Sequence, residues 1–118
     1  MPRRDQHLQK ARHNEEFVTS LGADPGRFAD WAITGLFYSA LHYIEAYFAC
    51  RGRHSGDHRA RDSDIWRDTS LQSLYTPYNE LKNASTTARY RVVFLTAQDL
   101  ADSHQCLDTI RTEIFKLI

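Results

Sequence analysis

The stretch Trp31-Ala32-Ile33-Thr34-Gly35-Leu36-Phe37-Tyr38-Ser39-Ala40-Leu41-His42-Tyr43-Ile44-Glu45-Ala46-Tyr47 decides the fold. Ile33, Phe37, Leu41, Ile44 and Phe48 recur at helical spacing, and Trp31, Leu36, Ala40, Tyr43 and Tyr47 widen that stripe. A helix that is apolar around most of its circumference is buried on several sides. This segment is therefore either the central helix of a bundle or the contact helix of a dimer. Its start is predicted near Asp24-Pro25, a capping residue followed by a proline at the first helical position, and its end near Cys50.

Upstream, Leu8, Ala11, Phe17, Val18 and Leu21 predict a helix over Asp5 to Leu21, closed by Gly22. Downstream, Arg51 to Ser55 reads as a loop because Gly52 and Gly56 interrupt helical structure. A short helix is predicted over Asp57 to Asp68. Thr69 or Ser70 then caps a further helix through Ala88, with Leu71, Leu74, Tyr75, Tyr78 and Leu81 on one face. Pro77 either kinks that helix or marks its real start. Thr96-Ala97-Gln98-Asp99 has the form of a capping box, with Asp in the usual Glu position. The last helix runs to Ile118, with Leu100, Leu107, Ile110, Ile114, Phe115 and Ile118 inward. Tyr90 to Leu95 is the one strand-like run, and it has no partner. The reading is a single all-α domain, residues 1–118, built as an antiparallel up-and-down bundle of four main helices plus one short helix. The excess apolar surface of the second helix argues for a homodimer.

The 118 residues carry 15 Lys and Arg against 15 Asp and Glu, so the net charge is zero and a uniformly basic nucleic-acid binder is excluded. Hydrophobic residues make up 42%, which excludes a disordered chain. Cys50 and Cys106 form no CxxC pair and read as small core residues in a reducing compartment. The N-terminal residues have no apolar run behind them, as a signal peptide would. Asp30, His42 and Glu45 interrupt the most apolar stretch, Phe28 to Cys50, so no membrane span is expected. The expectation is a soluble, cytoplasmic protein.

The segment Trp31 to Tyr47 resembles the long second helix of the HEPN (higher eukaryotes and prokaryotes nucleotide-binding) family. The loop Arg51-Gly52-Arg53-His54-Ser55-Gly56-Asp57-His58 resembles the glycine-containing loop that follows it in those proteins. Tyr78-Asn79-Glu80-Leu81 and Ala88-Arg89-Tyr90 resemble the family's tyrosine-leucine helix and its closing arginine-tyrosine element. The resemblance covers about residues 6–117. It implies a homodimeric bundle of four or five helices that holds RNA or a nucleotide in the dimer cleft. Many members are metal-independent ribonucleases, including toxins. Others lack activity and serve as partners of small nucleotidyltransferases or other proteins.

The family's ribonuclease signature is an arginine followed by a polar residue, with four to six residues between the arginine and a histidine. Arg53, His54 and His58 fit it, and Arg51 fits with Gly52 in the polar position. On that reading His58 is the base or acid at the ribose hydroxyl, because an imidazole titrates near neutrality. Arg53 holds the phosphate, because a guanidinium fork matches its oxygens. Arg51 and His54 assist, and Arg89 and Tyr90 add substrate contacts. The competing reading has His58 as a helix cap, Arg53 in solvent and Arg89 as a helix-terminal cation. Asp62, Asp64 and Asp68 stand ready to pair with the arginines between Arg51 and Arg61.

Tyr38, His42 and Glu45 share one face of the second helix, as a polar seam that needs partners. They form a hydrogen-bonded core triad, line a dimer cleft, or hold a metal. One His and one Glu are too few for a metal without ligands from another helix, such as His104. The sequence therefore assigns no metal site and no cofactor. His7 and His13 read as surface residues.

Overall fold

Five helices make up the chain in a computed structural model that describes residues 1–22 and 26–118: α1 (Arg4–Ser20), α2 (Ala29–Cys50), α3 (His58–Arg67), α4 (Tyr75–Tyr90) and α5 (Ala97–Leu117). Among the described residues there is no β-strand. The predicted start of the second helix at Asp24-Pro25 lies outside the described residues. Among the described residues, no helix is long and apolar enough to cross a membrane.

The apolar circumference of α2 is used within one chain. The helix packs against α1, α4 and α5. Ile33, Phe37, Tyr43, Ile44, Tyr47 and Phe48 are at most 1% exposed. Each such side chain contributes about 1.5–3 kcal/mol on burial. The sequence argument for a dimer from this helix therefore loses its premise, because three neighbouring helices cover it. What stays exposed lies near its N-terminal end, at Phe28 and Trp31, and on α1 at Phe17. Phe17 and Phe115, both expected inward, are 42% and 44% exposed.

Helix α1 lies antiparallel on α2. Successive contacts run from His7 with His42, through Ser39 Oγ donating to the Ala11 carbonyl at 2.9 Å, to Val18 against Gly35. A Cβ at Gly35 would lie 2.8 Å from Val18 Cγ2, so glycine is what lets the two helices approach this closely. Helix α4 likewise runs antiparallel to α5: Glu80 meets Cys106, while Ala84 and Thr87 line a cavity with Asp99 and Asp102.

Local chemistry sets the helix ends. Gly22 (φ 91°) follows α1, and Gly52 (φ 66°) turns the chain out of α2. The cap of α3 is Asp57, whose carboxylate accepts from the Ala60 amide at 2.7 Å. His58 is the first helical residue and not the cap. Neither Thr69 nor Ser70 caps α4; a single 3₁₀ turn at Gln72–Leu74 leads into it at Tyr75. Pro77 falls in the first turn of α4, where its missing N–H is harmless, so it marks a start and not a kink. The Thr96–Asp99 capping box at α5 is formed in both directions. Residues 91–96 are irregular, with Val92 and Phe94 fully exposed. Cys50 is exposed at the end of α2 and not a core residue as expected, whereas Cys106 is half-buried beside Glu80 and packs against the core.

Candidate functional site

The Arg53-to-His58 segment does not fold into one site within the chain. Arg53 turns back to the C-terminal end of α2. Its guanidinium donates to Asp68 at 2.8 Å and stacks over Phe48, 4.8 Å from the ring centroid. Asp68 also accepts from the Tyr47 hydroxyl at 2.9 Å and from the Ser70 amide. Partial burial pushes its carboxyl upward, but these hydrogen bonds prevail and hold it below the ordinary range. Arg51 stacks over Tyr47 at 3.8 Å.

His58 goes the other way, with its ring 5.8 Å from that of Phe37. Phe37 and Phe48 are eleven residues apart on α2, which is about 16 Å along a helix axis. The positive neighbours acting on His58 are Arg61, Lys82 and Arg89. Partial burial, followed by these cations, lowers its pKa and so favours the uncharged imidazole. Arg89 donates to the Tyr38 hydroxyl at 2.8 Å and packs over the Tyr38 and Tyr90 rings, while Lys82 pairs with Asp62. The fold thus brings Arg89, and not Arg53, into the charge environment of His58. Tyr90 itself is 73% exposed.

His54 belongs to a different and more buried centre. Glu45 on α2 is 1% exposed. Its Oε1 accepts from Arg61 Nε at 2.8 Å, and Arg61 is itself 7% exposed. Its Oε2 has weaker company, the Ser55 amide at 3.4 Å and His54 Nδ1 at 3.6 Å. Ser55 is held in place by Asp64, which accepts from its hydroxyl at 2.9 Å. His7 approaches from α1, and it is buried, 5% exposed, not a surface residue as expected. One nitrogen of His7, one of His54 and a Glu45 oxygen all lie within 4.8 Å of one another. The Nδ1 atoms of His7 and His42 are 3.1 Å apart, so one ring donates and the other accepts. Burial, together with the charges of His7, Lys10 and Arg61, pushes His42 down to about 4. His7 is lowered chiefly by burial, with Glu45 opposing.

The seam of Tyr38, His42 and Glu45 is therefore divided: Arg89 takes Tyr38, His7 takes His42, and Arg61 with the loop takes Glu45. Sequence reasoning missed His7 and Arg61. The signal was present in each case. His7 stands four residues before buried Ala11, and Arg61 four before buried Ile65, so each lies on the inner stripe of its helix. His104 is exposed on α5 and His13 is exposed on α1, and neither reaches this centre.

Compared with known proteins, the chain matches no family model, no curated protein and no solved structure.

Proposed function

We propose that this chain is a catalytically silent, HEPN-like helical interaction module that works by binding another protein, either a second copy of itself or a partner such as a small nucleotidyltransferase. The observation that carries this reading is the Arg53–Asp68 pair. A phosphate-binding arginine needs a free fork, and Arg53 has its fork on a carboxylate and its plane on Phe48, turned away from His58. The exposed side chains of Phe17 and Trp31 line a groove of about 360 Å³ with Tyr38 and Gly35, and this is the apolar surface offered to a partner.

A second reading has one observation in its favour. His58 is exposed, has its pKa lowered, and has Arg61, Lys82 and Arg89 as its cationic neighbours, a setting that suits a phosphodiester of RNA or a nucleotide. RNA cleavage in EDTA by the wild type, His58→Ala and Arg53→Ala separates the two readings. The module reading expects no cleavage of several unrelated RNAs by any of the three. Cleavage by the wild type that is lost in His58→Ala overturns it. If Arg53→Ala then retains activity, the phosphate contact belongs to Arg89.

A further inference from the structure

We propose that His7, Glu45 and His54 form a site for a divalent first-row transition metal of the Zn²⁺ type, which pins α1 and the 51–57 loop to α2.

The donor set comes first. Two imidazoles and one carboxylate, with a fourth position left to water or a ligand, is an established open zinc set, and imidazole suits this class of metal in general. Here the three donors come from three separate parts of the chain. Of the α2 seam only Glu45 is a donor here; α1 supplies one nitrogen and the loop after α2 the other.

Spacing comes second. Donors held at 2.0–2.2 Å around a tetrahedral ion are about 3.4 Å apart. His54 Nδ1 and Glu45 Oε2 already stand 3.6 Å apart, and all three donor atoms lie within 4.8 Å. His54 is on an exposed loop with its side chain 44% exposed, so the small remaining closure falls on the ligand that is freest to move. The same exposure gives an ion its route from solvent.

The surroundings come third. Glu45 is buried, and its two oxygens are unequally served. Oε1 has the short Arg61 bond, whereas Oε2 has only the 3.4 Å and 3.6 Å contacts. A buried carboxylate oxygen with such weak partners is the one an ion would take. The Arg61 bond then acts as the outer hydrogen bond that orients a ligating carboxylate. His42 does the same for His7. Since His7 Nδ1 is engaged by His42, the nitrogen left for a metal is Nε2, which is free to ligate when Nδ1–H donates to His42.

None of the three donors is Arg53 or His58, so the proposal is independent of the interaction-module reading; Arg61, which holds Glu45, also meets His58 Nδ1 at 3.3 Å. The test is titration of tag-free, chelator-treated protein with Zn²⁺ by calorimetry, and with Co²⁺ as a visible-absorbing substitute. Wild type is expected to bind one Zn²⁺ per chain and to give the intense d–d bands of a four-coordinate cobalt site. His54→Ala, a change at an exposed position, is expected to weaken binding by about 10-fold or more. His104→Ala, exposed on α5, leaves binding unchanged. Three results would each overturn the proposal: no one-to-one Zn²⁺ binding by folded wild type, no four-coordinate cobalt bands, or a His54→Ala titration that matches wild type.

Discussion

Two arginine–carboxylate pairs in this molecule have the same length and different consequences. Arg53 meets Asp68 at 2.8 Å at the edge of the bundle, with the arginine side chain 48% exposed. Arg61 meets Glu45 at 2.8 Å in the interior, with the side chains 8% and 2% exposed. In the first, solvent screens the half-exposed arginine, although Asp68 is only 12% exposed, and the pair is worth about 0–1 kcal/mol. In the second, removing either partner strands a buried charge, at a cost of about 3–5 kcal/mol. The visible motif in the sequence contains the weaker pair. The stronger one organises His7, His42, His54 and Ser55 around a single carboxylate, which is where this chain concentrates buried polar chemistry.

The contrast is broken most severely at Arg61. Arg61→Ala should lower unfolding stability by about 3–5 kcal/mol in urea denaturation, because Glu45 is left buried and unpaired. A loss under about 1 kcal/mol would place this pair with ordinary surface ion pairs. Replacing both partners, as Glu45→Leu with Arg61→Leu, should cost less than Arg61→Ala alone, since no orphan charge remains. A double mutant less stable than the single would mean that the carboxylate's bonds to the loop outweigh its desolvation.

At the edge pair, the expected effects are smaller and depend on pH. Asp68→Asn should cost about 1–2 kcal/mol near neutrality, by weakening the charge-assisted bonds from Arg53, Tyr47 and Ser70. The folded carboxyl is depressed, so its contribution is fully present above its unfolded pKa of about 3.9 and is lost as pH falls through the lower folded value. Urea midpoints of wild type and Asp68→Asn should therefore differ at neutral pH and converge in acid. A gap that widens in acid would reverse that sign. Smallest of all, Arg53→Ala should change unfolding stability by no more than about 1 kcal/mol. A larger loss would mean that stacking on Phe48 carries the pair.

Much of the fold could be read from residue spacing. The all-round apolar pattern of α2, the glycines that end α1 and α2 and the Thr96–Asp99 box are local signals, and the bundle obeys them. The start of α4 was legible only as an alternative, because Pro77 is compatible with both a first turn and a kink. The site was less legible, since it depends on which helices meet. His7 and His42 are 35 positions apart in the sequence and 3.1 Å apart in space, a relation that no local pattern encodes. Cys50 and Phe17 were misjudged for a related reason. Residue type says what a side chain prefers, whereas the length of the neighbouring helix decides whether anything covers it.

The central claim is that the built site is the Glu45 centre and not the surface arginine–histidine motif. The most direct measurement is long-range proton–nitrogen NMR of the histidine rings while Zn²⁺ is added. The account predicts that the His7 and His54 ring nitrogens shift together and saturate at one equivalent, that His42 responds through its contact with His7, and that His13 and His104 stay in place. A response at His58 without His7, or uniform small shifts at all six histidines, would contradict it.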